Sequence, residues 1–298
     1  MEKYNKVQWE KGLDITPEVF INADNYHIAE RSLLGRFVAS RLHGILPGRR
    51  FHIEHYIDND HVDIKILEGF AITRDGYMVN IQEDNFLHKK IALSDVAGSD
   101  FYVVLTVNPY SEDSSDENNR PAYTEYDLVL KKTEEVIRHG IPILKIYKDV
   151  QRWNWEIDND YIPPAIALQA VNNLKWKFDE IKNKVDRISE KLLGNDTVHI
   201  QALLLKLELD NYCLQESPQE LTLLLKKFCC VMQLYVKVSK NIEEFPVLEK
   251  FMEERYNHNE IGQILYLASE SLTEIDEKID EKPVEPKEEE EVIMEIRV

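Results

Sequence analysis

Residues 161–192 read YIPPAIALQAVNNLKWKFDEIKNKVDRISEKL, and the fold class turns on this stretch. Beyond Ile162-Pro163-Pro164, the apolar residues Ala167, Val171, Leu174, Phe178, Ile181, Val185, Ile188 and Leu192 recur at alternating spacings of four and three. That is a heptad seam on one helix, interrupted only by Gly194. With Val171, Phe178, Val185 and Leu192 at the a positions, Ala167, Leu174, Ile181 and Ile188 fall at d. Two isoleucines at d disfavour a parallel dimer and permit a trimer, although the Phe178 ring is bulky for a narrow threefold axis. The core stripe of an ordinary helical bundle has the same spacing and needs no partner chain, so spacing alone leaves both readings open.

Upstream of Pro163 the period is two. Phe51, Ile53, His55 and Ile57 alternate with His52, Glu54 and Tyr56, and Val62, Ile64 and Ile66 alternate with Asp63, Lys65 and Leu67. The pattern predicts two half-buried strands joined at Asp58-Asn59-Asp60. Phe70 to Thr73, the Asp75-Gly76 turn and Tyr77 to Ile81 read as a further hairpin. Phe101 to Val107 is apolar throughout, as in a central strand covered on both faces. Tyr126 to Leu130, Ile141 to Tyr147 and Arg152 to Ile157 complete a β-rich region, with a solvated loop from Pro109 to Pro121 inside it. Ahead of these, Lys6 to Trp9 looks strand-like, and Thr16-Pro17-Glu18 is a helix start with threonine as N-cap and proline at the first helical position. Val19, Phe20, Ala23, Tyr26, Leu33, Leu34, Phe37, Val38 and Leu42 then predict one long amphipathic helix up to His43-Gly44.

Downstream of the seam further helices are expected. They are His199 to Tyr212, one opened by the capping box Ser217-Pro218-Gln219-Glu220, and Asn259 to Ile275. From Asp276 to Val298 ten acidic residues stand against four basic ones, too charged a stretch to bury a core of its own. It reads as a flexible tail, whose final Val292 to Val298 either frays or adds to a partner's sheet edge. The chain thus reads as α+β, in three parts: residues 1–163, 164–275 and 276–298.

A chain of 298 residues suggests about two domains. Its net charge of −19, from 36 basic and 55 acidic residues, argues against a general binder of nucleic acid or of anionic membranes. The charged N-terminus is unlike a secretory signal, and no stretch approaches the ~18 apolar residues of a membrane span, so no direct membrane insertion is expected. Cys213, Cys229 and Cys230 are odd in number and two of them are adjacent in apolar helical sequence, which reads as buried reduced thiols in a cytoplasmic protein.

Signals for chemistry are sparse. The glycines form neither a phosphate loop nor a dinucleotide spacing, and no nucleophile elbow or zinc helix occurs, so no cofactor and no catalytic or metal-ligating residue is assigned. His52, His55 and His61 cluster with Glu54, Asp58, Asp60 and Asp63. On an extended strand His52 and His55 point to opposite faces and cannot share an ion without a bulge. The run from Asp58 to Asp63 imitates half a calcium loop, but Asp63 stands where that loop needs glycine and Gly69 where it needs glutamate, so a polar hairpin turn is expected.

The stretch Trp9 to Tyr26 resembles, without gaps, the opening motif of the TssK family of type VI secretion baseplate proteins, also called VasE or ImpJ, W-x-E-G-M-x-L-x-P-Q-H-F-Q-x-x-D-x-Y. Trp9, Gly12, Pro17, Phe20, Asp24 and Tyr26 keep the family identities, whereas Lys11, Leu13, Ile15, Glu18 and Val19 depart from them. Tyr161-Ile162-Pro163-Pro164 is similar to the family's F-I-P-P at its domain junction, and Gly140 to Ile146 resembles the strand before it. Physically, Gly12 and Pro17 shape the chain ahead of the helix, while Trp9, Phe20 and Tyr26 are read as packing that helix against the sheet.

The resemblance implies a phage-like β-sandwich shoulder, a helical neck that trimerises through Val171 to Leu192, and a scaffolding role without catalysis. The implied partners are two further copies of the chain and the baseplate wedge proteins TssF and TssG, near the inner face of the cytoplasmic membrane. Family members carry a head domain that docks on the membrane complex. Here only the acidic tail follows the helices, so the chain reads as a shortened member whose contact with that complex is of a non-standard kind. Two rival functions are a metal-assisted hydrolase using residues 52–63 of the sandwich and a phage-type receptor-binding protein.

Overall fold

The computed structural model describes residues 6–39, 42–94, 96–110, 124–133, 137, 139–149, 151, 153–192, 196–212 and 214–281. It is an α+β chain that divides into two compact units. The first comprises residues 1–178 with 213–221 and 256–264; the second comprises 179–212, 222–255 and 265–298. The sequence break at residue 163 is therefore not the boundary of the first unit, which also takes the start of the heptad helix and two short segments from far downstream.

The first unit is built on two antiparallel sheets. Strands β1 (Gly44–Ile45), β2 (His52–Ile57), β4 (Met78–Ile81) and β5 (Leu87–Ala92) all pair with the twelve-residue β3 (His61–Ile72). The second sheet has the order β7-β6-β8-β9, with β6 at Asp100–Asn108, β7 at Glu125–Lys132, β8 at Gly140–Asp149 and β9 at Asn154–Ile157. Val62, Ile64 and Ile66 of the first sheet share one apolar core with Val103, Leu105 and Ile143 of the second, which makes the pair a sandwich. In β6 the expected two-sided burial is present. Phe101, Val103, Leu105 and Val107 face that core, while Tyr102 and Val104 pack with Ile137 and Tyr161 on the other side.

Three expectations need correction in this unit. Lys6 to Trp9 forms no strand. The segments Val62 to Leu67 and Phe70 to Thr73 belong to the one strand β3, which stays extended through Glu68-Gly69. There Gly69 leaves room for a ring, since a Cβ on it would lie 3.2 Å from the Phe51 side chain. β5 escaped the alternation rule because His88, Lys89 and Lys90 dilute its apolar period, although Leu87 and Ile91 pack on the core. Most of the loop from Pro109 to Pro121 lies outside the described residues.

The helices are α1 (Pro17–Ala39), α2 (Asn172–Lys191), α3 (Asp196–Asp210), α4 (Pro218–Lys240), α5 (Pro246–Glu253) and α6 (Ile261–Asp280). The start of α4 carries the reciprocal capping box: the Glu220 N–H donates to Ser217 Oγ at 3.3 Å and the Ser217 N–H to Glu220 Oε2 at 3.3 Å. In the second unit α2 and α6 are cross-tied. Lys184 Nζ donates to Ser269 Oγ at 2.7 Å and Thr273 Oγ1 at 2.8 Å, and Arg187 and Lys191 each meet Asp276 at 2.7 Å. Asp276 to Asp280, expected as the start of the flexible tail, are thus helical, and Asp276 is a buried anchor; residues 282–298 lie outside the described residues.

The heptad seam needs a larger correction. Leu174, Phe178, Ile181, Val185, Ile188 and Leu192 are all buried within the chain itself, and only Val171 is half-exposed. A seam between copies must be open in the single chain, so this one is the core stripe of the chain's own bundle. Cys229 is buried, and burial pushes its thiol far above the ordinary range. Cys230 is exposed, against expectation, and Cys213 lies outside the described residues.

Candidate interaction site

The opening motif from Trp9 to Tyr26 leads into α1. The Leu13 N–H donates to the Glu10 carbonyl at 3.2 Å, closing a tight turn with Gly12 at φ +99°, where a side chain would be strained. Pro17 then sits at the first helical position, and the Val19 N–H donates to the Thr16 carbonyl at 3.1 Å.

What α1 buries is unexpected. Among its described residues the buried side chains are Asn25 and Ser32, and it crosses the β3–β4 turn almost backbone to backbone. A Cβ on Gly35 would stand 2.6 Å from the Gly76 carbonyl oxygen, and one on Gly76 2.1 Å from that of Ser32. Arg36 Nη2 and His139 Nδ1 both reach the Asp75 carboxylate, at 3.3 and 2.8 Å. Such a close approach excludes large side chains, so these point outward. Phe37 is 83% exposed, and Phe20, Leu33 and Leu34 lie open as well. Trp9, 57% exposed, stacks its ring 6.1 Å from that of Phe20 rather than against the sheet. Tyr26 is half-buried and donates to Glu30 Oε1 at 2.7 Å; Asp24 is exposed. The packing role expected for Trp9 and Phe20 is therefore overturned, whereas Tyr26 stays half-buried.

Pro163 and Pro164 are buried, and the junction they form is clamped to β1. The Ile45 N–H donates to the Pro164 carbonyl at 2.8 Å, and the Ile166 N–H returns to the Ile45 carbonyl at 3.0 Å. Gly44, at φ +116°, has no space for a Cβ, which would lie 2.1 Å from the Pro164 oxygen. Beside this clamp lies a polar latch absent from the sequence reading. His258 Nε2 donates to the His43 carbonyl at 2.6 Å, Tyr256 Oη meets His258 Nδ1 at 2.8 Å, and His43 Nε2 meets Asn259 Oδ1 at 3.0 Å. The next residue, Glu260, accepts from the Tyr102 hydroxyl and from Lys145 Nζ, the latter at 3.4 Å. Three consecutive side chains thus hold residues 256–264 onto the sandwich.

The histidine cluster of β2 and β3 has no metal geometry. β2 does carry a bulge at His52/Ile53, yet among the described residues no three His, Cys, Asp or Glu side chains converge on a common point. Asp58 instead caps the turn, accepting from the Asp60 and His61 N–H groups at 2.9 and 2.8 Å. Among the described residues no helix is long and apolar enough to cross a membrane.

No protein-family model and no curated protein sequence matches the chain. Solved structures do. The cryo-electron microscopy structure of the type VI secretion TssK–TssF–TssG baseplate subcomplex contains a chain superposing with TM-score 0.60 at 16% identity, over 92% of this chain and 100% of that one. TssK of the EAEC type VI secretion system, bound to nanobody nb18, gives 0.61 at 14% identity over 86% and 98%. A crystal structure of TssK gives 0.60 at 12% identity over 95% of this chain and 71% of that one. The chain has a TssK-like fold. Within it, the stretch from Trp9 to Tyr26 that resembles the TssK motif forms the turn and the first half of α1, and the Ile-Pro-Pro junction closes on β1.

Proposed function

We propose that the chain is a structural adaptor of a type VI secretion baseplate, assembling as a homotrimer that binds the wedge proteins TssF and TssG. It would link them toward the membrane complex at the inner face of the cytoplasmic membrane. The observation that carries this reading is the TssK-like fold over most of the chain, including likeness to a chain of a TssK–TssF–TssG baseplate subcomplex. The outward apolar face of α1 supports it, because Phe20, Leu33, Leu34 and Phe37 contribute little to the fold that exposes them.

Three copies presenting one such face each would bind a multivalent wedge more tightly than one copy, through local concentration alone. The test is purification of the full-length tagged chain from its own cell. Recovery of TssF and TssG, lost when Leu34 and Phe37 are replaced by serine, would support the reading. Absence of both wedge proteins from the wild-type sample would overturn it, and glycan binding in their place would favour a receptor-binding protein.

A further inference from the structure

α1 is turned with its apolar side away from the unit that carries it. Its inward strip, Ile21, Asn25, Ile28, Ala29, Ser32 and Gly35, is small or polar apart from two half-buried isoleucines, whereas Phe20, Leu33, Leu34 and Phe37 face solvent. A surface helix is ordinarily held by the opposite arrangement, a broad apolar stripe against the core. Among the described residues no α1 side chain belongs to either apolar cluster of the sandwich. Most of a helix's stability in a protein comes from such packing, and a segment with few buried apolar contacts opens at a free energy well below that of the whole fold.

We propose that α1 is a detachable strap, fastened to the β3–β4 turn at Ser32 to Arg36 and released from it while the sandwich stays folded. The fastening has three parts, all within one turn of helix. The first is the backbone approach of Gly35 to Gly76, where a Cβ on Gly76 would also stand 2.7 Å from the Arg36 nitrogen. The second is a hydrogen bond between the Ser32 and Tyr77 side chains. The third is Arg36 Nη2 on the Asp75 carboxylate at 3.3 Å, which His139 Nδ1 holds from the sandwich side at 2.8 Å. Arg36 is open to solvent, so this ion pair is a weak tie.

The two ends of the strap differ. Gln8 to Glu18 are all exposed, and the space around Gly12 is empty, so nothing pins the leading end. Beyond the helix, Gly44 is clamped against Pro164, so a released α1 stays anchored there. Docked, α1 offers a partner one side only. Released, it is a helix that an apolar groove can take from the Phe20 to Phe37 side without the sandwich in the way. The strap is a property of the chain alone, so its test needs no wedge protein and its failure leaves the wedge reading untouched.

The test is native-state hydrogen exchange on the full-length chain over a series of low urea concentrations. In the wild type, amides from Ile21 to Phe37 should exchange at least ~100-fold faster than those of Val103 and Leu105 in β6, with a shallower urea dependence, because a local opening exposes less surface than global unfolding. Arg36→Gln should speed α1 exchange by a further ~2–5-fold. Gly35→Ala should speed it too, although alanine is the better helix former, because its methyl stands against Gly76. Both variants should leave β6 at the wild-type rate. His139→Gln, which leaves Arg36 and Asp75 in place, should not change α1 exchange. Wild-type α1 amides that exchange as slowly as β6, with the same urea dependence, would overturn the strap. So would Arg36→Gln and Gly35→Ala chains whose α1 exchanges no faster than the wild type, or whose β6 accelerates equally.

Discussion

Acid should loosen the first unit at one identifiable place. His258 is almost fully buried between the His43 carbonyl, the Tyr256 hydroxyl and the His43 ring, whose centroid lies 4.9 Å away. Since a carbonyl only accepts, His258 Nε2 carries the proton, and neutral Nδ1 accepts from Tyr256. A second proton has to enter at Nδ1, in a buried site and beside His43. Burial, with the His43 charge adding to it, pushes His258 down to about 4 from an ordinary 6.5. The unfolded chain takes up that proton near pH 6.5 and the folded one only near pH 4. Stability is therefore complete above about 6.5, falls by ~1.4 kcal/mol per pH unit below it, and levels off near 4, a total of roughly 3 kcal/mol.

His258→Gln removes the titrating ring and keeps an amide that can donate to the His43 carbonyl. It should cost about 1–2 kcal/mol at neutral pH through the lost Tyr256 bond and ring packing, yet flatten the acid limb. Urea unfolding followed through the buried Trp155 reports on this unit, since Trp9, Trp153 and Trp176 are exposed and change less. Carboxylates titrate alike in both proteins, so the wild-type-minus-variant difference isolates the latch. Parallel stability curves from pH 7 to 4 would refute the reasoning.

Other substitutions probe the remaining contacts. Gly44→Ala should cost about 2–4 kcal/mol, because alanine is strained at φ +116° and its methyl meets the Pro164 oxygen; a melting temperature within a degree of wild type would contradict the clamp. Phe37→Ser on α1 should leave stability within ~0.5 kcal/mol while weakening wedge capture, whereas Phe178→Ala, which is buried, should cost about 3–5 kcal/mol in urea unfolding. Ile181→Asp together with Ile188→Asp should unfold the helical unit rather than yield a folded monomer, because each carboxylate would be buried inside the chain; an intact helical spectrum on a dissociated chain would return the seam to an interface.

Local pattern was readable where one physical requirement acts alone. Phe101 to Val107 could be nothing but a strand covered on both faces, and Ser217 with Glu220 marked a helix start that the structure reproduces bond for bond. Patterns failed where a distant neighbour decides. Glu68-Gly69 fell between two expected strands, but Gly69 is a seat for the Phe51 ring inside one continuous strand. The aromatic residues of α1 followed a helical period and so were assigned inward, whereas the close approach of Gly35 to Gly76 turns them out. Tyr256 to Glu260 reads as a polar loop. Only the arrival of His43, Tyr102 and Lys145 from elsewhere in the chain makes it a latch.

A heptad cannot by itself say whether its partner is another chain. Spacing sets which residues share a helix face; what covers the face depends on how many apolar helices one chain must bury. Here α2 finds α6 within the chain, and the polar residues bordering its seam are committed to that pairing, Lys184 to Ser269 and Thr273, Arg187 and Lys191 to Asp276. With those ties in place the α2 seam cannot open to a second copy without leaving Asp276 buried and unpaired, a cost of several kcal/mol. The ion pairs of α3, Lys206 with Asp186 and Asp210 with Lys182, likewise stay within the same unit. The polar residues beside the α2 seam, more than the seam's own period, therefore mark it as closed within the chain.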